Sequence, residues 1–129
     1  MDYQHDRHSV HLVVYHMIWC PKRRRHVLYG QVLKRLEQII HEVAGEQGWQ
    51  VIELAIQPDH VHLFVRTNPK TLPSDIPRLM KGRSSRLLRK EFAHLRKLPT
   101  LWTHSYLLST ACNVSSETIQ HYIERQSHA

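Results

Sequence analysis

The apolar positions change their period several times along the chain. Residues 11–20 read HLVVYHMIWC, apolar, aromatic and β-branched on both faces, and Pro21 ends the run. That pattern predicts a central β-strand. From Gln31 to Glu46, Val32, Leu36, Ile39, Ile40 and Val43 recur at helical spacing. Lys34, Arg35, Glu37, Glu42 and Glu46 fill the opposite side, and Gly48 supplies a stop signal. Val51–Ile56 and His60–Arg66 read as two strands separated by the tight break Gln57-Pro58-Asp59, hence an antiparallel hairpin.

Asn68 to Pro73 reads as a loop. Ser74 is the expected N-cap of a second helix, with Asp75 in its first turn and Pro77 near its start, running to about Phe92. Leu98 to Thr103 is irregular, and Tyr106 to Cys112 reads as a fourth strand. Ser115 is the expected cap of a last helix, with Glu117 in its first turn, reaching about Gln126. The order β-α-β-β-α-β is the ferredoxin-like pattern, followed here by one more helix. It predicts an α+β fold, an antiparallel sheet with helices on one face, built from one domain over residues 1–129. Such a scaffold is common and does not by itself assign a function.

Composition changes the picture mainly through charge. Lys and Arg number 18 against 11 acids, a formal net charge of +7, which attracts polyanions over long range. Two basic runs stand out. Lys22, Arg23, Arg24 and Arg25 follow the first strand, and Arg78, Lys81, Arg83, Arg86, Arg89 and Lys90 lie on the second helix with no acid between them. Together they are expected to contact phosphates. Trp102 and Tyr106 are candidates either for stacking on unpaired bases or for the core.

The remaining counts exclude whole classes. Cys20 and Cys112 stand alone in apolar runs, without metal-type or secreted-type spacing, so both read as buried, reduced thiols. The polar N-terminus is unlike a signal peptide, and no apolar run approaches the length of a membrane span. A cytoplasmic protein with no membrane partner is expected.

The segment PDHVHLFV carries the sharpest local signal. Side chains alternate along a strand, so His60 and His62 share one face, with Cα atoms about 6.5–7 Å apart. Two imidazoles can then converge on one cation, while Val61, Leu63 and Val65 turn toward a core. Asp59 is either a turn residue or the acceptor of a hydrogen bond from one of those imidazoles. On the last helix Tyr122 and Gln126 are four residues apart and share a face with Ile119 and Ile123. Tyr122 reads either as a core aromatic with its hydroxyl at the rim or as a nucleophile that attacks phosphorus. Gln126 can offer an amide oxygen to a metal held by the two histidines.

Taken together, YHMIWCPKRRRHVL, PDHVHLFV, LMKGRSSRLLRKEF, LWTHSYLLST and the YIERQ ending resemble the single-tyrosine transposases of small insertion sequences. These belong to the HUH endonuclease superfamily, with REP-associated tyrosine transposases as relatives. The resemblance spans nearly the whole chain. It departs from the common pattern at His104, where many relatives have Pro, and at Ala111-Cys112-Asn113, where the turn is richer in Gly. It implies Tyr122 as nucleophile, His60, His62 and Gln126 as metal ligands, and Mg²⁺ or Mn²⁺ as the metal. The implied substrate is single-stranded DNA bearing a hairpin near each element end, in the cytoplasm of a prokaryote. The implied assembly is a homodimer in which the tyrosine helix can complete either its own site or its partner's. The competing expectations are a non-catalytic single-stranded nucleic-acid-binding module on the same fold, and a metal-dependent hydrolase that uses water.

Overall fold

The structure, a computed structural model, describes residues 5–6, 9–10, 13–110 and 116–128. Two short strands, β1 (His5–Asp6) and β2 (Ser9–Val10), pair antiparallel in a ribbon too brief to leave a periodic signal in the sequence. The main sheet holds β3 (Val13–Trp19), β4 (Gln50–Gln57), β5 (His60–Thr67) and β6 (Leu107–Ser109). Their spatial order is β4-β5-β3-β6, and every neighbouring pair is antiparallel. The helices are α1 (Gly30–Gln47), α2 (Asp75–Glu91) and α3 (Ser116–Arg125). The α+β architecture and the element order agree with the sequence pattern, and β3 is central as its two apolar faces require.

Strict alternation divides the sheet into two unlike surfaces. Val61, Leu63 and Val65 of β5 are fully buried and stand opposite Trp19, Met17 and Tyr15 of β3. Leu36, Ile39 and Ile40 of α1 and Ile76, Met80 and Leu88 of α2 close over them and complete the principal core. Burying each such side chain stabilises the fold by about 1.5–3 kcal/mol relative to exposure. The other surface carries His16 and Ile18 of β3 beside Phe64 and His62 of β5, with His60 beyond them. Helix α3 lies here, where Tyr122 and Ile123 form a separate small cluster with Ile18 and Cys20. The first two helices thus share one face and α3 takes the opposite one.

Several local features differ from the sequence reading. Ser74 precedes α2 but has helical dihedrals (φ −69°, ψ −17°) and makes no capping bond through its side chain. Asp75, the first helical residue, instead ties down the preceding loop, because its Oδ2 accepts the Leu72 N–H at 2.9 Å and its Oδ1 accepts from Arg78. A carboxylate one residue further on is the stronger acceptor near a helix start. Among the described residues the fourth strand is shorter than expected, since Leu107–Ser109 pairs with β3 while Tyr106 and Thr110 do not. Cys112 and Ser115 fall outside the described residues. A 3₁₀ turn at Ala93–Lys97 follows α2, and a bulge in β4 between Val51 and Glu53 leaves Ile52 exposed.

Candidate active site

The β4–β5 hairpin turns through Pro58-Asp59, which delivers His60 and His62 to the α3 side of the sheet. His60 Nδ1–H donates to Asp59 Oδ1 at 2.9 Å. The other carboxylate oxygen of Asp59 pairs with Arg24 Nε at 3.1 Å. Asp59 is therefore both the turn residue and the partner of an imidazole. Fixing the proton on Nδ1 leaves the Nε2 lone pair of His60 available to a cation.

His62 Nε2 lies 3.0 Å from His16 Nδ1, and His16 stacks on Phe64 with ring centroids 4.2 Å apart. Burial, and then the neighbouring His16, push the His62 pKa below its usual 6.5. The ring is consequently neutral at pH 7, the form that can bind a metal.

Helix α3 brings the other two candidates. The Tyr122 ring is buried against Ile18, whose cross-strand neighbour is His62. Its hydroxyl lies 3.1 Å from the Ser105 hydroxyl at the protein rim. Tyr122 thus packs as a core aromatic, 7% exposed, with its hydroxyl on the exposed Ser105. Burial pushes its phenol up to about 12. Gln126 begins the 3₁₀ turn Gln126–His128 and is only 6% exposed. Its Nε2 donates to the Tyr122 carbonyl at 3.0 Å, and its Oε1 accepts from Ser105 Oγ at 2.8 Å. That turn packs on the Lys22–Arg24 turn, from which Arg24 reaches Asp59 and so the His60 side of the sheet.

The donor chemistry of this face fits a divalent cation. Among the described residues no three His, Cys, Asp or Glu side chains gather around one point. The set on the strand is two imidazoles, one of them oriented by a carboxylate; the Gln126 amide oxygen would add a third donor, and among the described residues its hydrogen bonds run to Ser105 and Thr103 and not to either imidazole. Such an N₂O set leaves coordination positions for water or phosphate oxygens. Cys20 adds nothing to it, because burial pushes its thiol up to about 12.

The basic residues separate into tied and untied groups. Arg83 makes two bonds to the Glu46 carboxylate, at 2.7 and 3.0 Å. Arg78 pairs with Asp75, Arg24 with Asp59, and Arg89 donates to the Leu98 carbonyl. Lys81 is half-buried, and its ammonium donates to the carbonyls of Thr103, His104 and Ser105. Lys22 and Arg25 are partly exposed and Arg23 is exposed on their turn, where Arg23 adopts a positive φ of 57°. Arg86 and Lys90 line an open depression of about 610 Å³ with Gly82, Ser85, Arg89 and Arg96. Trp102 belongs to the core, since it is buried, donates to Ser84 Oγ and meets Trp19 edge-on. Tyr106 remains 40% exposed.

Sequence reasoning missed His16, Ser105 and Arg96. His16 carries a usable signal, since it alternates with Ile18 on one strand face. Ser105 carries none, because it lies in an irregular segment whose partners come from distant elements.

Comparison with known proteins identifies the family. Residues 9–126 match the family described as transposase, IS200-like. The chain is 35% identical over 123 residues to the ISDra2 transposase TnpA of Deinococcus radiodurans, covering 93% of this chain and 88% of that protein. It is 27% identical over 115 residues to the IS200 transposase of Salmonella typhimurium, covering 87% and 75% of the two chains. A crystal structure of a D. radiodurans R1 protein described as a transposase superposes with a TM-score of 0.87 at 34% identity, over 95% of this chain and 97% of that one. A REP-associated tyrosine transposase bound to a REP hairpin shares the fold, with a TM-score of 0.56 at 15% identity over 94% and 68% of the chains. With a family match that runs from the first strands to Gln126, the chain belongs to the IS200-like transposases, the tyrosine HUH enzymes that move insertion sequences.

Proposed function

We propose that this transposase cuts and rejoins single-stranded DNA through a phosphotyrosine on Tyr122, with His60, His62 and Gln126 holding a divalent cation. The observation that carries this reading is the shared face. Tyr122 lies on the helix that packs on Ile18, on the strand face that carries both imidazoles, and Gln126 follows one turn later at the start of the 3₁₀ turn that continues this helix.

Tyr122 gives up its phenol proton to solvent as its Oη attacks the scissile phosphorus in line. The bond from phosphorus to the 3′ oxygen breaks, that oxygen leaves as a 3′-OH after gaining a proton, and the 5′-phosphate stays esterified to the phenol. Attack by the 3′-OH of a second strand reverses the step, joins the new ends and returns the proton to Tyr122. When bound, the cation supplies Lewis-acid polarisation of a nonbridging phosphate oxygen. Imidazole ligands favour Mn²⁺ over Mg²⁺ by softness. Asp59 keeps the His60 ring in the orientation and tautomer that ligation needs.

The substrate in this reading is single-stranded DNA with a hairpin near each element end, acted on by a homodimer in the cytoplasm of a prokaryote. A fold relative bound to a REP hairpin supports the hairpin, and the basic runs support contact with phosphates. The loosely held cations Lys22, Arg23, Arg25, Arg86 and Lys90 are the first choices for those contacts.

The test is incubation of the protein with labelled single-stranded element ends and Mn²⁺, followed by a denaturing gel. A covalent adduct is expected from the wild type, and none from Tyr122→Phe or from the double variant His60→Ala with His62→Ala. Cleavage that survives in Tyr122→Phe means water is the nucleophile and removes the mechanism. Binding without cleavage by the wild type leaves only a nucleic-acid-binding module.

A further inference from the structure

The hydroxyl of Ser105 sits between Tyr122 of α3 and Gln126 just beyond that helix, 3.1 Å from Tyr122 Oη and 2.8 Å from Gln126 Oε1. A serine hydroxyl has one proton to give and two lone pairs. Gln126 Oε1 can only accept, and its amide is held in this sense because Nε2 donates to the Tyr122 carbonyl. The Ser105 proton is thus committed to Gln126. Toward Tyr122 the serine acts as acceptor, and the phenol donates to it. The resulting chain runs from the Tyr122 O–H to Ser105 Oγ–H and on to Gln126 Oε1. It fixes the phenol torsion and the direction of the amide oxygen together. Without Ser105, Gln126 Oε1 keeps, among the described residues, a long 3.5 Å approach from Thr103 Oγ1.

Ser105 is itself exposed, so packing does not hold it. What holds it is Lys81, which donates to the carbonyls of Thr103, His104 and Ser105 at 2.7, 3.1 and 3.3 Å. All three ammonium protons are spent on this one loop. The alkyl stem crosses from α2, and the charge lies 5.5 Å from the Tyr106 ring centroid, which covers it on another side.

We infer that Ser105 is the positioning residue that registers the nucleophile against the amide ligand, and that Lys81 is the strap that keeps Ser105 in place. This rests on the roles proposed above for Tyr122 and Gln126. It gives Lys81 an internal task in place of the phosphate contact its sequence context suggests.

The experiment uses the full chain as wild type, Ser105→Ala, Ser105→Thr and Lys81→Met. Three quantities are read: Mn²⁺ affinity without DNA by electron paramagnetic resonance, DNA affinity by gel shift, and the single-turnover rate of adduct formation. Ser105→Ala is expected to weaken Mn²⁺ binding and slow adduct formation by roughly tenfold or more each, the range typical of groups that orient metal ligands. Its DNA affinity stays within about twofold, because the hydroxyl is turned toward α3 and not toward a phosphate. Ser105→Thr, which keeps the hydroxyl at an exposed position, recovers both losses, and Lys81→Met loses in the same two quantities. Wild-type Mn²⁺ affinity and rate in Ser105→Ala, with the adduct still abolished by Tyr122→Phe, overturn the inference and leave the proposed function standing. Losses that Ser105→Thr does not recover overturn it as well. If the wild type forms no Tyr122-dependent adduct, the proposed function falls, and the Mn²⁺ affinities still decide whether Ser105 orients Gln126.

Discussion

His62 shows how a single residue can link the site to stability. Burial first, and His16 second, disfavour its charged form, so its folded pKa lies below the usual 6.5. The folded protein then binds fewer protons at this ring than the unfolded chain does. Its contribution to stability is complete above pH 6.5 and is lost as pH falls through the lowered folded value. In an NMR titration of the metal-free protein, the His62 ring is expected to show a midpoint below 6.5, and His16→Ala is expected to raise it. A wild-type midpoint at or above 6.5 contradicts this account. The shared face of His60 and His62 was legible in the sequence because a strand has a period of two. The contact with His16 was not, since it depends on the register between segments 46 residues apart.

Between residues and the whole fold, the helix boundaries show where local chemistry suffices. Gly48 ends α1 in the left-handed conformation, φ 74°, and its N–H reaches the carbonyls of Ala44 and Gly45. A Cβ there would meet only Asn68 Nδ2, at 3.9 Å, so strain rather than collision sets the cost. Gly48→Ala is expected to destabilise by about 1–2 kcal/mol. Gly45 lies inside the same helix with nothing within 4 Å of an added Cβ. Gly45→Ala is expected to stabilise by about 0.5–1 kcal/mol. Urea midpoints at unchanged slope measure both, and equal signs would refute the distinction. The stop at Gly48 was readable because one residue type satisfies it. Ser74 takes the capping position of α2 that the sequence assigns to it, with Asp75 in the first turn, but its side chain makes no capping bond because its backbone is already helical. The fourth strand was overextended because apolar residues alone do not reveal how far a neighbour is available for pairing.

Across the whole molecule, the excess of positive charge was plain in the sequence, but its allocation was not. Arg83 on Glu46 is neutralised within the protein, whereas Arg86 and Lys90 open onto a depression lined mainly by cations. Side-chain pairing between α1 and α2 decides this, and helical periodicity alone does not distinguish the two groups. For single-stranded DNA, each lost phosphate contact lowers the slope of log affinity against log salt by about 0.7. Arg86→Ala and Lys90→Ala are each expected to flatten that slope by about this amount, and Arg83→Ala to leave it unchanged. Equal effects from all three would mean that the internal pairing does not survive binding.

The small apolar cluster under α3 has a consequence for control. Among the described residues, Ile18, Cys20, Tyr122 and Ile123 are its buried members, against twenty in the principal core. The helix that carries the phenol, and hands on directly to the amide, is therefore the least anchored of the three. In the proposed mechanism, lifting this ten-residue segment withdraws attacker and ligand in one movement. Whether the enzyme is armed or safe then comes down to one undocking equilibrium, not to two separate events.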